Sequence, residues 1–239
     1  MKHGTLYGIG VGPGDPELIT LKAVNILRSV PVVFAAASTK NSHSLAVEIV
    51  SPHLKKDVPV EPLGFPMTRD KQKLAVAWQG NARRVINTLK KGKNAAFITL
   101  GDPMIYSTFG YIMRTIKEID PDIPIEIIPG ITSYQAGAAA AGQTLAEAEE
   151  SFTVISGALG AEKLKQVIDD TDSVVMLKVY HNYKEIIDTL NHLDLAVDSI
   201  LISRCGLDGE EILRDLGKPR ETEPPYFSLL LIRKKDREG

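Results

Sequence analysis

A chain of 239 residues, 44% hydrophobic and 24% charged, has the make-up of a globular protein able to bury one large core or two smaller ones. Its net charge of -2 excludes the strongly basic balance of a nucleic-acid coat, and no apolar run reaches the roughly 18 residues of a membrane span. Cys205 is the single cysteine, which excludes an intramolecular disulfide; no basic-then-apolar leader precedes the first apolar run, so the cytoplasm is the expected compartment.

In chain order, Thr5–Val11 is short, apolar and β-branched and ends in a glycine cluster, the pattern of a buried strand followed by a tight loop. Helical spacing of Leu18, Leu21, Val24, Ile26 and Leu27 predicts a helix over Pro16–Arg28 with Asp15 as N-cap. A strand over Val30–Ala36, a helix over Ser44–Ser51 and a strand over Val58–Pro62 follow. Asp70–Lys91 is a long helix closed by Gly92, and Asn94–Leu100 is a strand leading through Gly101-Asp102-Pro103 into a helix that reaches Ile119. Alternation of strand and helix predicts a mainly parallel sheet in the first domain, residues 1–120.

Asp120-Pro121-Asp122-Ile123-Pro124 is the expected linker, because two prolines so close together resist helix and sheet alike. Beyond it a strand over Ile125–Ile128 and an alanine-rich helix over Thr132–Ala148 open a second, α+β domain, residues 121–239. Strands over Phe152–Ser156, Ser173–Val179, Ser199–Arg204 and Phe227–Arg233 complete it, with helices near Ala161–Ile168 and Tyr183–Leu193.

Three glycine turns carry the chemistry. Gly8-Ile9-Gly10-Val11-Gly12-Pro13-Gly14-Asp15 fails the dinucleotide fingerprint: the sixth position is Pro13 counted from Gly8 and Asp15 counted from Gly10. No carboxylate follows the second strand, where the chain runs Ala37-Ser38-Thr39, so a ribose-binding acid is missing. Leu100-Gly101-Asp102-Pro103-Met104-Ile105-Tyr106-Ser107-Thr108 places a glycine, a carboxylate and hydroxyls at the carboxyl end of a strand, the favoured ligand position of an open parallel sheet. Ile128-Pro129-Gly130-Ile131-Thr132-Ser133 repeats that arrangement. Each turn has an ordinary alternative: a tight turn for the first, a helix cap at Asp102 for the second, an N-cap at Thr132 or Ser133 for the third.

Together, the run from Gly10 to Ala23, the Gly101-Asp102-Pro103 turn and Pro129-Gly130-Ile131-Thr132-Ser133 resemble the tetrapyrrole methylases. The resemblance runs from Leu6 to about Ile232. It implies an α/β, two-domain class III methyltransferase fold with the active-site cleft between the domains, S-adenosyl-L-methionine as methyl donor, S-adenosyl-L-homocysteine as product, and a homodimer. Phe65-Pro66-Met67-Thr68, the Tyr106-Ser107-Thr108-Phe109 continuation, Met176-Leu177-Lys178-Val179 and Pro225-Tyr226-Phe227-Ser228 resemble the branch that methylates C20 of precorrin-2 or cobalt-factor II in cobalamin biosynthesis. Uroporphyrinogen III methylation, methylation of another precorrin and diphthine synthesis are the alternatives within the family. A nicotinamide oxidoreductase or a non-catalytic nucleotide-binding module are those outside it.

Carried over by position, the resemblance implies cofactor contacts at Pro13, Gly101, Asp102, Ile105, Thr132, Ser133, Leu177 and Gly206, with Leu100, Tyr106 and Ser107 lining the same pocket. Ala36-Ala37-Ser38 departs from the Pro-Lys-Ser of relatives and puts that segment's substrate contact in doubt. Asp102 and Lys178 are the candidate catalytic groups: Asp102 to position cofactor or substrate, Lys178 to pair with a ring acid or assist proton transfer, or simply to bind a nearby carboxylate. Arg69, Lys71 and Arg204 are further partners for a polyacidic tetrapyrrole. The histidines lack metal-ligand spacing and Cys205 has no CxxC partner, so no protein-bound metal is expected. Trp78 is assigned to the core or a dimer interface.

Overall fold

The computed structural model describes residues 3–38, 44–218 and 222–234. Thr39, which entered the sequence reading, lies outside them. The chain divides into two units, Met1–Thr132 and Ser133–Gly239.

The first unit is built on five parallel strands in the order β3-β2-β4-β1-β5: β1 Leu6–Gly10, β2 Val33–Ser38, β3 Val60–Phe65, β4 Ala95–Thr99 and β5 Ile125–Ile128. Helices α1 Leu21–Leu27, α2 Leu45–Val50, α3 Lys71–Lys90 and α4 Phe109–Ile119 complete it. Because side chains alternate across a strand, Phe34, Ala95 and Phe97 join one core with α3 and α4, whereas Val33, Ala35, Ala96 and Ile98 join another with α1 and α2. Burial on both faces explains why these strands read as unbroken apolar runs. Phe34, Phe97 and Phe109 are fully buried, each contributing about 1.5–3 kcal/mol.

Local chemistry sets the helix limits. Asp70 Oδ1 accepts the Gln72 and Lys73 amides and starts α3, and Gly92 at φ 74° closes it as foreseen. The expected helix over Pro16–Arg28 is instead two pieces. Asp15 caps a single turn over Pro16–Leu18, Ile19 and Thr20 are extended, and Thr20 then caps α1. Ala36, Ala37 and Ser38 belong to β2, paired with Leu63, Gly64 and Phe65, so that segment is strand, not loop.

The division expected after residue 120 is corrected. β5 pairs with β1, and the segment before it is fastened down: Lys117 Nζ donates to the Pro121 and Ile123 carbonyls at 2.8 and 2.7 Å. The proline pair therefore shapes a bound turn within the first unit, and the boundary falls after Thr132.

The second unit has a five-stranded mixed sheet in the order β6-β7-β10-β8-β9: β6 Phe152–Ser156, β7 Ser173–Leu177, β8 Ser199–Ser203, β9 Glu211–Arg214 and β10 Ser228–Arg233. Only β6 and β7 pair in parallel. Helices α6 Glu162–Val167 and α7 Tyr183–His192 cover one face through Leu164, Tyr183, Ile186 and Leu190, while α5 Ser133–Ala141 packs on β8 and β10. Helix α5 is shorter than the Thr132–Ala148 expected. Gly142 at φ 58° ends it, the Gly142 amide donating to the Ala139 carbonyl and the Gln143 amide to that of Ala138, a Schellman stop. Strand β9 was not foreseen: Glu-Ile-Leu-Arg has no clear alternation and owes its form to pairing with β8. Among the described residues no helix is long and apolar enough to cross a membrane.

Candidate active site

In the first sheet β4 and β1 are neighbours, but the chain leaves β1 toward β2 and leaves β4 toward β5 on the other side. Their carboxyl ends therefore flank a topological switch point, the crevice that an open parallel sheet offers a ligand. All three glycine turns gather there. The Gly101 amide donates to the Gly12 carbonyl at 2.7 Å, and the Gly12 amide donates back to Gly101 at 3.3 Å. Both glycines have positive φ, 86° and 67°. A Cβ on Gly10 would stand 2.5 Å from the Gly101 carbonyl oxygen and 2.7 Å from the Gly130 nitrogen; one on Gly130 would strike the same oxygen. Three backbones meet at distances that no side chain permits.

Asp102 ties this cluster together. Its Oδ1 accepts the Met104 amide at 2.8 Å and its Oδ2 the Gly130 amide at 3.0 Å. Capping of the next helix, the bland alternative, does not occur, since α4 begins only at Phe109. Ser107 serves there instead: its hydroxyl accepts the Phe109 amide and lies 2.9 Å from the buried Thr99 hydroxyl. Ser107 thus shapes the loop, and Thr99, unmarked in sequence, is its anchor. Between these fixed points Met104, Ile105 and Tyr106 are exposed, and Tyr106 has φ 49°. An apolar, strained and outward loop on so rigid a base is poor for stability alone and suits a ligand contact. Pro13 and Thr132 are buried at the same edge, and Leu100 is half-buried.

In the second unit, Leu177, Lys178 and Gly206 collect at a single sheet edge. Strands β7 and β8 both run antiparallel to β10, with Leu177 opposite Leu229 and Ser203 opposite Ser228. Lys178 is the exposed residue after β7, at φ 60°. Gly206, at φ 71°, lies in the turn after β8, where its amide donates to Glu210 Oε2 at 2.7 Å. Glu210 was missed in sequence because a carboxylate returning over four residues of an irregular turn leaves no periodic signal. Burial, with the Glu210 carboxylate beside it, pushes the neighbouring Cys205 thiol up to about 11. Ser133 opens α5.

The other candidates are dispersed. Arg69 and Lys71 are exposed around the start of α3, and Met67 is exposed just before them, whereas Phe65 is a core ring packed edge-on to Phe97. Trp78 stacks on Tyr111 at 4.5 Å beside the first core, as expected of a structural aromatic. Among the described residues no group of three or more His, Cys, Asp or Glu could hold a metal.

A parallel sheet that brings three glycine turns together at its switch point defines an α/β protein with a crevice of bare backbone, the place where open parallel sheets offer a ligand site. The chain belongs to the tetrapyrrole (corrin/porphyrin) methylases, whose model matches residues 5–218, and it is a methyltransferase of that family. It is 35% identical to the cobalt-precorrin-2 C(20)-methyltransferase of Salmonella typhimurium over 97% of both chains. It is 30% identical to the precorrin-2 C(20)-methyltransferase of a Sinorhizobium species over 96% of this chain and 95% of that one. In fold it is similar to the cobalt precorrin-4 methyltransferase CbiF, with TM-score 0.71 at 22% identity over 96% of this chain and 94% of that chain. A uroporphyrin-III C-methyl transferase from Thermus thermophilus, complexed with S-adenyl homocysteine, matches with TM-score 0.68 at 21% identity over 96% of this chain and 92% of that chain. This membership removes the nicotinamide oxidoreductase and the non-catalytic module as readings.

Proposed function

We propose that the chain transfers a methyl group from S-adenosyl-L-methionine to C20 of a precorrin-2-type tetrapyrrole in cobalamin biosynthesis. The observation that carries this reading is its near full-length similarity to two C20-methyltransferases, one named for the cobalt form and one for the metal-free ring. The glycine cradle supports it: bare backbone and a fixed carboxylate suit the polar parts of a nucleoside and an amino acid.

On the first unit Pro13, Leu100, Gly101, Asp102, Ile105, Tyr106, Ser107 and Thr132 are assigned to the cofactor, and on the second Ser133, Leu177 and Gly206. The bound cofactor supplies an electrophilic methyl on a sulfonium. The chain's own task is orientation, an effect worth up to about 7–11 kcal/mol when reacting atoms are held in line. Both Asp102 oxygens are engaged by backbone amides, so Asp102 acts as a positioning residue that keeps the cradle in shape. Lys178 pairs with an acidic side chain of the ring or helps to move the proton that C20 loses. Rates and ring affinity of Lys178→Met that match the parent would remove it from the mechanism.

The working state in this reading is a homodimer, a property carried by the family resemblance and tested by sedimentation; the cytoplasm is the compartment that the single cysteine favours. Assay of the purified chain with precorrin-2, cobalt-factor II and uroporphyrinogen III tests the activity. Methylation at C20 of either of the first two is the expected result. Methylation of uroporphyrinogen III alone would overturn it.

A further inference from the structure

The edge of the second sheet that carries Leu177 also carries a basic and aromatic corner. The residue directly after β7 is Lys178 and the residue directly after β8 is Arg204, at φ 60° and 55°. Among the described residues six non-glycine positions have positive φ, and these two are the basic ones. Left-handed backbone comes readily to glycine and acceptably to aspartate, as at Asp194 and Asp215, but is costly for a long basic side chain. Strain of this kind collects where a side chain must be aimed.

The surroundings of Arg204 show what it is aimed for. Its amide donates to the Phe227 carbonyl at 2.7 Å, which locks the turn against β10, and its side chain runs past Gly209. Arg204 is exposed and makes no ion pair with another described residue. Beside it Tyr226 and Phe227 are 55% and 42% exposed. They meet edge to face at 4.9 Å, and Tyr180 packs on Tyr226 at 4.9 Å. Below them the Ser203 and Ser228 hydroxyls join β8 to β10 at 2.8 Å and stiffen the base. A planar cation fork next to exposed aromatic faces, on a rigid support, matches a flat conjugated ring with carboxylates on its rim.

We propose that this corner reads the acidic periphery of the tetrapyrrole. Arg204 pairs with a ring carboxylate, Lys178 supplies a second positive charge at the same edge, and Tyr226 and Phe227 pack on the ring carbons. The proposal rests on the tetrapyrrole reading above and adds the residues that recognise the substrate.

The test uses sirohydrochlorin, a stable polycarboxylate ring of the same type, titrated by absorbance at low and moderate salt, with S-adenosylhomocysteine titrated separately by calorimetry. Arg204→Met is expected to weaken ring binding about tenfold and to flatten its salt dependence, leaving S-adenosylhomocysteine affinity within about twofold. Arg204→Lys should recover part of the loss. Arg204→Gly should lose the ring equally while melting at the same temperature or higher, because glycine relieves the left-handed turn. Tyr226→Leu should weaken the ring without changing the salt slope. Unchanged ring affinity in Arg204→Met, or a parallel fall in affinity for both ligands, overturns the proposal. A parent protein that binds the ring but methylates no tetrapyrrole overturns the C20 reading alone, the corner still being judged by Arg204→Met. A parent that binds no ring overturns both.

Discussion

Asp102 and Gly130, 28 positions apart, are joined by a 3.0 Å bond from the glycine amide to the aspartate Oδ2, while Oδ1 of the same carboxylate holds the Met104 amide. One side chain thus fixes the shape of the turn after β4 and its distance from the turn after β5. Asp102→Ala leaves two amides without their acceptor and should cost about 1–3 kcal/mol of stability. Cofactor-product affinity should fall tenfold or more, read by calorimetry with S-adenosylhomocysteine. Asp102→Asn retains one acceptor oxygen and should fall between the two; equal affinity in all three proteins would show that the tie does not shape the cradle.

Gly130 and Gly64 make a controlled pair. A Cβ on Gly130 meets the backbones of Gly101 and Gly10, whereas one on Gly64 meets nothing within 4 Å. Gly130→Ala should destabilise by about 1–3 kcal/mol because backbone cannot rotate away from a methyl. Gly64→Ala should stay within about 0.5 kcal/mol of the parent. Urea melts of the two variants measure the contrast, and similar midpoints would mean that the three turns are less tightly fixed than their geometry implies.

Two groups predict opposite pH responses. Cys205 is held in its neutral form by burial and by Glu210, so its pKa rises to about 11. Stability from this source is complete at neutral pH and is lost as pH rises from the ordinary thiol range, about 8.5, toward 11. Iodoacetamide should therefore label the native protein far more slowly at pH 8 than the urea-unfolded chain, and Glu210→Gln should speed labelling. Equal native and unfolded rates would contradict the buried thiol.

Asp120 shows the reverse sign. A hydrogen bond from Lys90, whose Nζ lies 2.8 Å away, holds the carboxylate below its usual range. Its stabilising contribution is present above about pH 4 and disappears as acid protonates it. Asp120→Asn should lower the melting temperature at pH 7, and the gap to the parent should close by about pH 2–3. A gap that persists in acid would assign the effect to packing.

Much of this architecture was legible from pattern alone. Ile125–Ile128 and Phe152–Ser156 fall on the strands read from sequence, because short apolar runs between turn residues have few other options. Asp120–Pro124 misled for the opposite reason: proline forbids regular structure but does not forbid a firmly bound turn, and Lys117 supplies the bonds. At the site, the glycine turns announced themselves, while the carboxylates and hydroxyls that hold them did not. Thr99 is one more β-branched residue at a strand end, and Glu210 one more surface acid, until folding brings Ser107 and Gly206 to them. Arg204 is the sharper case: sequence offers it as one basic candidate beside Arg69 and Lys71, and the left-handed backbone that sets it apart exists solely in three dimensions.

The reciprocal bonds between Gly12 and Gly101 splice two loops nearly ninety positions apart into one hinge-free joint. Neither loop can be lengthened, shortened or swapped between relatives without its partner, since a one-residue slip in either turns a carbonyl where an amide is required. Grafting the segment from Gly8 to Asp15 from another methylase should fail unless the segment from Leu100 to Ser107 travels with it. Change at this edge of the protein must therefore proceed in matched pairs.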